Sequence, residues 1–310
     1  MSVLTSFWQM LIILVLIAVG FICRKTGIVS DNNNKCISQL VINVFNPALI
    51  FSSLVGSRGS EVNIGIVFLV GALSFLFTII VGTGLSVLMT RNRDEQKIYR
   101  LMIVFSNIGF IGIPVISAMF GTGALLYAAI FIFEYNVLIY TYGYMLVRKK
   151  DGKKKSFVKQ LKPLINVGTV SCVIAIIIFA TGIKLPYVAD KALTYLGNAA
   201  TPLSLMAIGV TLGGEKNMLK IFTNYKQYIF AFCKLILIPV AEIIILKRMP
   251  ISAEFCQVCA VMSALPVGTM PLMLATENGM DGRMCSDSII LTTLLSVLTV
   301  PLIMMIYKFL

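Results

Sequence analysis

Charged side chains stand inside long apolar runs of this chain, among them Glu134, Lys234, Glu242 and Asp287. If such runs cross a membrane, a charge at mid-bilayer costs at least ~2.5 kcal/mol on insertion scales, so each residue reads as functional unless a partner explains it. Glu134 and Lys234 fall in the middle of their runs. Glu134 is either a coupling site for a cation or the structural ion-pair partner of Lys234. Asp287 is a second coupling candidate, and Glu242, nearer a run end, reads as interfacial. The chain has no histidine, which leaves proton chemistry to carboxylates. Glycine and proline form the other cluster with chemical meaning. Gly109, Gly112 and Pro114 follow Ser106-Asn107, and Pro266, Gly268 and Pro271 follow Ser263. Proline removes a helix donor and glycine opens unwound conformations, so two helix breaks are expected. A half-helix restarting at Pro114 or Pro271 aims free amides and its positive dipole end at the break, which favours an anion; the carbonyl ends of the preceding halves favour a cation. Asn107 adds two donors suited to a carboxylate, while Ser106, Ser263 and Thr269 add hydroxyls. Plain proline kinks are the alternative, but they have no reason to recur at matching places.

The elements that must position these groups follow from composition. Of 310 residues, 58% are apolar and 13% charged, with mean hydropathy +0.93; a soluble domain carries about 25% charged residues. The expectation is an all-α membrane protein whose partner is the lipid bilayer, because spanning backbone must satisfy its own hydrogen bonds. The net charge of +13 then reports basic cytoplasmic loops and not a nucleic-acid partner. Apolar runs fall near 7–23, 37–55, 64–89, 98–120, 123–147, 163–182, 192–212, 221–246, 254–276 and 285–307, ten segments each near the length that crosses ~30 Å of hydrocarbon. Residues 148–162 carry eight basic side chains and one acid, a basic cytoplasmic linker between a five-segment half at 1–147 and another at 163–310. Loops on one side hold 19 Lys and Arg against 6 on the other, which places both termini outside in a multi-pass plasma-membrane topology. Arg24 and Lys25 follow the first run instead of preceding it, the reverse of a cleaved signal, so segment 1 is expected to be retained.

Five segments per half make the halves enter from opposite sides, so similarity between them implies an inverted repeat. Asn43 and Pro47 in segment 2 match Asn198 and Pro202 in segment 7, four apart in each; Ser106 and Pro114 match Ser263 and Pro271, eight apart. The expected fold is two inverted five-helix repeats with broken helices 4 and 9. Paired interrupted segments in two halves point to a transporter's substrate site. The seven cysteines suggest no disulfide framework, and Cys256-x-x-Cys259 lacks further ligands for a metal. No catalytic constellation is present, so an enzyme is not expected. Tyr135, Tyr140, Tyr142 and Tyr144 read as an interfacial aromatic belt.

These residues resemble the auxin efflux carrier family, which includes the plant PIN-FORMED carriers and bacterial permeases for malate-like acids. Ala264-Leu-Pro-Val-Gly-Thr-Met-Pro271 is similar to the family's Ala-Leu-Pro-x-Gly-x-x-Pro crossover, and Asn107-Ile-Gly-Phe-Ile-Gly-Ile-Pro114 to its Asn-Thr-Leu-Val-Met-Gly-Ile-Pro. Asp287 before an apolar span containing Pro301 matches the opening of its last helix. The resemblance implies that the broken helices cross, that helices 1, 2, 6 and 7 form an often homodimeric scaffold, and that helices 3–5 and 8–10 form a mobile transport domain. It places Asn107 in the substrate site, shaped by Pro114, Pro266 and Pro271. The short central loop and the absence of an acid in segment 3 depart from the plant carriers, so loop phosphorylation and coupling through such an acid do not carry over. The expected function is a secondary active transporter, or permease, of a small organic anion such as a carboxylate, by alternating access at the two breaks; an anion channel of the same architecture is the alternative. No cofactor is expected, and a driving ion, if one is used, is a proton or sodium.

Overall fold

The computed structural model describes residues 3–55, 62–148, 165–183, 185–214 and 223–310. Apart from Arg148, the expected linker at 148–162 lies outside the described residues. The helices are, in order, α1 (Val3–Lys25), α2 (31–55), α3 (Ile64–Met89), α4 (Arg93–Val104), α5 (Ile108–Phe120), α6 (Thr122–Val147), α7 (Val167–Thr181), α8 (Tyr187–Gly214), α9 (Tyr225–Leu246), α10 (Ala253–Ala264), α11 (Met270–Glu277) and α12 (Arg283–Phe309). Among the described residues, no strand forms beyond one isolated antiparallel bridge between Ser106 and Val267. Six helices among the described residues are long and apolar enough to cross a membrane: α2, α3, α6, α8, α9 and α12. Of the other segments expected to span, the fourth and ninth are each divided between two shorter helices, and the sixth is the 15-residue α7.

Helix starts are set by polar caps and not by the onset of apolar sequence. Ser30, Asn63, Asn92, Asn166, Asn224 and Ser252 each accept a hydrogen bond from a backbone amide of the first turn. Hence α2 and α4 begin several residues before the apolar runs that announce them. Prolines leave a second mark. The π turns Val41–Phe45, Ile108–Gly112 and Cys233–Leu237 each end just before a proline, Pro47, Pro114 and Pro239. A widened turn accommodates the ring and the missing donor without ending the helix. A fourth π turn, Ile139–Gly143, has no proline after it.

α1 and α8 pack backbone to backbone. A Cβ on Gly20 would fall on the Met206 carbonyl, and one on Gly209 on the Ile17 carbonyl; close approach through small residues is a common way for apolar helices to associate. α8 also packs on α2, and α2 on α7. Elsewhere α3 lies against α4 and α6, while α9, α10 and α12 lie against one another.

Candidate functional site

Two interruptions meet at the centre of the chain. α10 ends because Leu265 precedes Pro266, which drives Leu265 out of helical backbone to ψ 149. α4 ends at Phe105, φ −104 and ψ 85, and α5 restarts with Asn107 as its N-cap. Each break leaves orphaned backbone groups, and they satisfy one another: Asn107 N donates to Pro266 O at 2.8 Å and Gly268 N donates to Phe105 O at 3.0 Å. A Cβ on Gly268 would lie 3.0 Å from Ser106 O, so the close pass suits glycine. Thr292 of α12 takes the remaining amide, accepting from Val267 N at 3.1 Å. The first break thus lies at 105–107, ahead of the glycines and proline expected to cause it. Pro114 sits inside α5, where the preceding π turn makes room for it.

A cavity of about 510 Å³ opens on this crossing, within the range typical of ligand sites. Ser106, Asn107, Gly109, Gly268 and Thr269 line it, as do Asn43 and Pro47 of α2. The other expected residues stand behind it. Gly112 packs on Leu265, where a Cβ would come within 2.8 Å of its Cδ1. Pro114, Pro266 and Pro271 are buried supports, and Ser263 faces a different, smaller chamber. Asn198 and Pro202, the counterparts of Asn43 and Pro47, lie on α8 away from the lining.

Several lining residues went unnoticed in the sequence. Asn46, Asn136 and Asn166 bring the lining asparagines to five, and no charged side chain is among the described lining residues. Asn46 was legible as the neighbour of Pro47; it donates to Gly109 O at 2.8 Å and ties α2 to the start of α5. Tyr135 and Tyr140 also line the cavity instead of forming an interfacial belt, and Phe105 packs edge-on against Tyr135 at 5.4 Å between ring centroids.

The buried charges are arranged differently from expectation. Lys234, 1% exposed, donates to Ser106 Oγ at 2.7 Å and to Ser263 O at 3.3 Å, and no Glu134–Lys234 ion pair forms. The carboxylate whose charge acts on Lys234 is Glu242, 3% exposed, so the interfacial reading of Glu242 is wrong. Eight positions apart on an unbroken α-helix, the two would differ by about 80° in direction; the extra residue absorbed by the π turn Cys233–Leu237 returns them to nearly one face. Glu242, Lys234, Ser74, Thr78, Ser106 and Ser263 line a chamber of about 20 Å³, room for about one water. Glu134 lies apart, against the backbone of Gly71 and Ala72 on α3. Asp287, half-buried near the start of α12, acts electrostatically on Arg283.

Comparison with known proteins gives this geometry a family. The sequence profile of the membrane transport protein family matches residues 5–304. The chain is 30% identical over 308 residues to an uncharacterized transporter of Methanocaldococcus jannaschii, covering 94% of this chain and 96% of that protein. It is 24% identical over 307 residues to the uncharacterized transporter YfdV of Escherichia coli, covering 95% of each. A chain matched along nearly its whole length, with long apolar helices, belongs to the membrane transport protein family of the auxin efflux carriers.

Proposed function

We propose that this chain is a secondary active transporter of a small organic anion such as a carboxylate, working by alternating access around the cavity at the two helix breaks. The observation that carries the reading is the hydrogen-bonded crossing itself. The N-caps of α5 and α11, Asn107 and Thr269, both line one cavity without a charged side chain among its described lining residues, so two helix N-termini direct amides and positive dipole ends toward it. Five asparagines add neutral donors that hold an anion without closing an ion pair too strong to release. Matched motifs in the two halves support ten spans arranged as an inverted repeat. The mutual packing of α1, α8, α2 and α7 supports a scaffold against which the remaining helices move, and the resemblance adds homodimerisation through that scaffold. The excess of basic residues in the loops of one side supports a topology with both termini outside. The driving ion in this scheme is a proton or sodium.

A melting-temperature screen of carboxylates on purified protein, with and without sodium, tests the anion reading. A ligand that binds the folded chain alone stabilises it by about 2.7 kcal/mol at 100 times its Kd. At least one carboxylate should raise the melting temperature measurably at millimolar concentration. A complete screen without any shift would contradict a carboxylate site.

A further inference from the structure

Ser106 belongs to the walls of both cavities, so the chamber holding Lys234 and Glu242 lies one residue behind the larger one. The larger cavity has no charged side chain among its described lining residues, and Lys234 places an ammonium on the back of their shared wall. Glu242 offsets that charge. With its carboxylate ionised the pair is neutral overall; with a proton on it, one positive charge stands uncompensated behind Ser106. The chamber can accept either state. Ser74 and Ser263 approach the carboxylate, yet Glu242 Oε2, Ser74 Oγ and Ser263 Oγ are buried without a hydrogen bond around space for about one water. Hydroxyls donate to a charged carboxylate and accept from a protonated one.

Resting on the anion-carrier reading above, we propose that Glu242 takes up a proton together with the transported anion, because protonation leaves Lys234 uncompensated behind Ser106 and so strengthens anion binding in the larger cavity. The crossing is then a proton–anion symport site. The groups facing Glu242 are Lys234 from its own helix, Cys256 and Cys259 from α10, and the non-titrating Ser74 from α3. Tyr307 of α12 approaches the same Cys256, with the Lys247 ammonium 4.4 Å from the centre of its ring. Glu134 of α6 acts on Cys259. Thiols and phenols ordinarily ionise above pH 8, so between about pH 5.5 and 8 the two carboxyls and the buried Lys234 ammonium, whose charge Glu242 supports, are the groups to separate.

The potential of the larger cavity can be read without a substrate. In Thr269→Cys, with Cys23→Ser and Cys36→Ser removing the two cysteines that are not buried, the thiol is reacted in detergent with anionic sulfonatoethyl and cationic trimethylammonioethyl methanethiosulfonate. The same thiolate attacks both reagents, displacing methanesulfinate from each, so its own ionisation cancels in the ratio of rates. The anionic-to-cationic ratio should rise roughly tenfold or more from about pH 8 to about pH 5.5, as expected for a unit charge on the order of 10 Å away at an effective dielectric near 20. Glu242→Gln should hold the ratio high at both pH values, and Glu134→Gln should keep the parent's rise. A flat ratio in the parent overturns the proposal even if Glu242→Gln does not fold. A rise that survives Glu242→Gln, or labelling by neither reagent, overturns it as well. Transport does not enter this measurement, so a flat ratio removes the charge switch while the carrier reading stands or falls on transport alone.

Discussion

Lys234→Met should melt roughly 10 °C below the parent chain. The ammonium is 1% exposed and its partners are the crossing's own Ser106 hydroxyl and Ser263 carbonyl, with Glu242 as its counter-charge. Taking it away leaves a buried carboxylate without compensation, and breaking a buried pair by removing one partner costs about 3 to 5 kcal/mol. Methionine fills a similar volume, so little of the loss is a cavity effect. Combining Lys234→Met with Glu242→Gln removes both charges and should recover most of the melting temperature, since replacing the whole pair is often near neutral. A single variant as stable as the parent, or a double variant no better than the single, would mean that the two residues are not energetically paired. Circular dichroism melts in one detergent decide it.

Asn107→Ala should weaken carboxylate binding roughly 10- to 150-fold while leaving the fold intact. Its backbone, which alanine retains, makes the bond to Pro266 O that holds the crossing together. Its side chain lines the cavity at the N-terminus of α5, where losing a hydrogen bond to a charged partner typically costs ~1.5 to 3 kcal/mol. Isothermal titration with the carboxylate that most raises the parent's melting temperature measures the change. Equal affinity in the two proteins would remove Asn107 from the site.

The second break was legible because glycine and proline act locally: Leu265-Pro266 alone forces extended backbone, and Gly268 is readable as a residue chosen for closeness. The first, expected at Gly109 to Pro114, lies ahead of them at 105–107, because the π turn accommodates Pro114 within α5. Asn107, Ser106 and Thr269 followed as the polar residues beside those breaks. Glu242 was misread because position along an apolar run says nothing of direction around a helix, and the π turn that rotates it toward Lys234 has no signature of its own beyond Pro239. The same limit hid Asn136 and Asn166, which are isolated polar residues until the helices assemble. Tyr135 and Tyr140 look like an interfacial belt in sequence, yet α6 turns them toward the crossing. Helix starts were missed for a simpler reason, since caps such as Ser30 and Asn92 are polar and lie ahead of the apolar pattern.

Whether the crossing is the anion site of a carrier is tested most directly in sealed proteoliposomes, by following a radiolabelled carboxylate from the melting screen with proton and sodium gradients imposed in turn. The parent chain should accumulate it above the external concentration under at least one gradient, and Asn107→Ala should take it up far more slowly at the same concentration. Flux that only brings the two sides to equilibrium under every gradient, or an uptake rate that Asn107→Ala leaves unchanged, would contradict it.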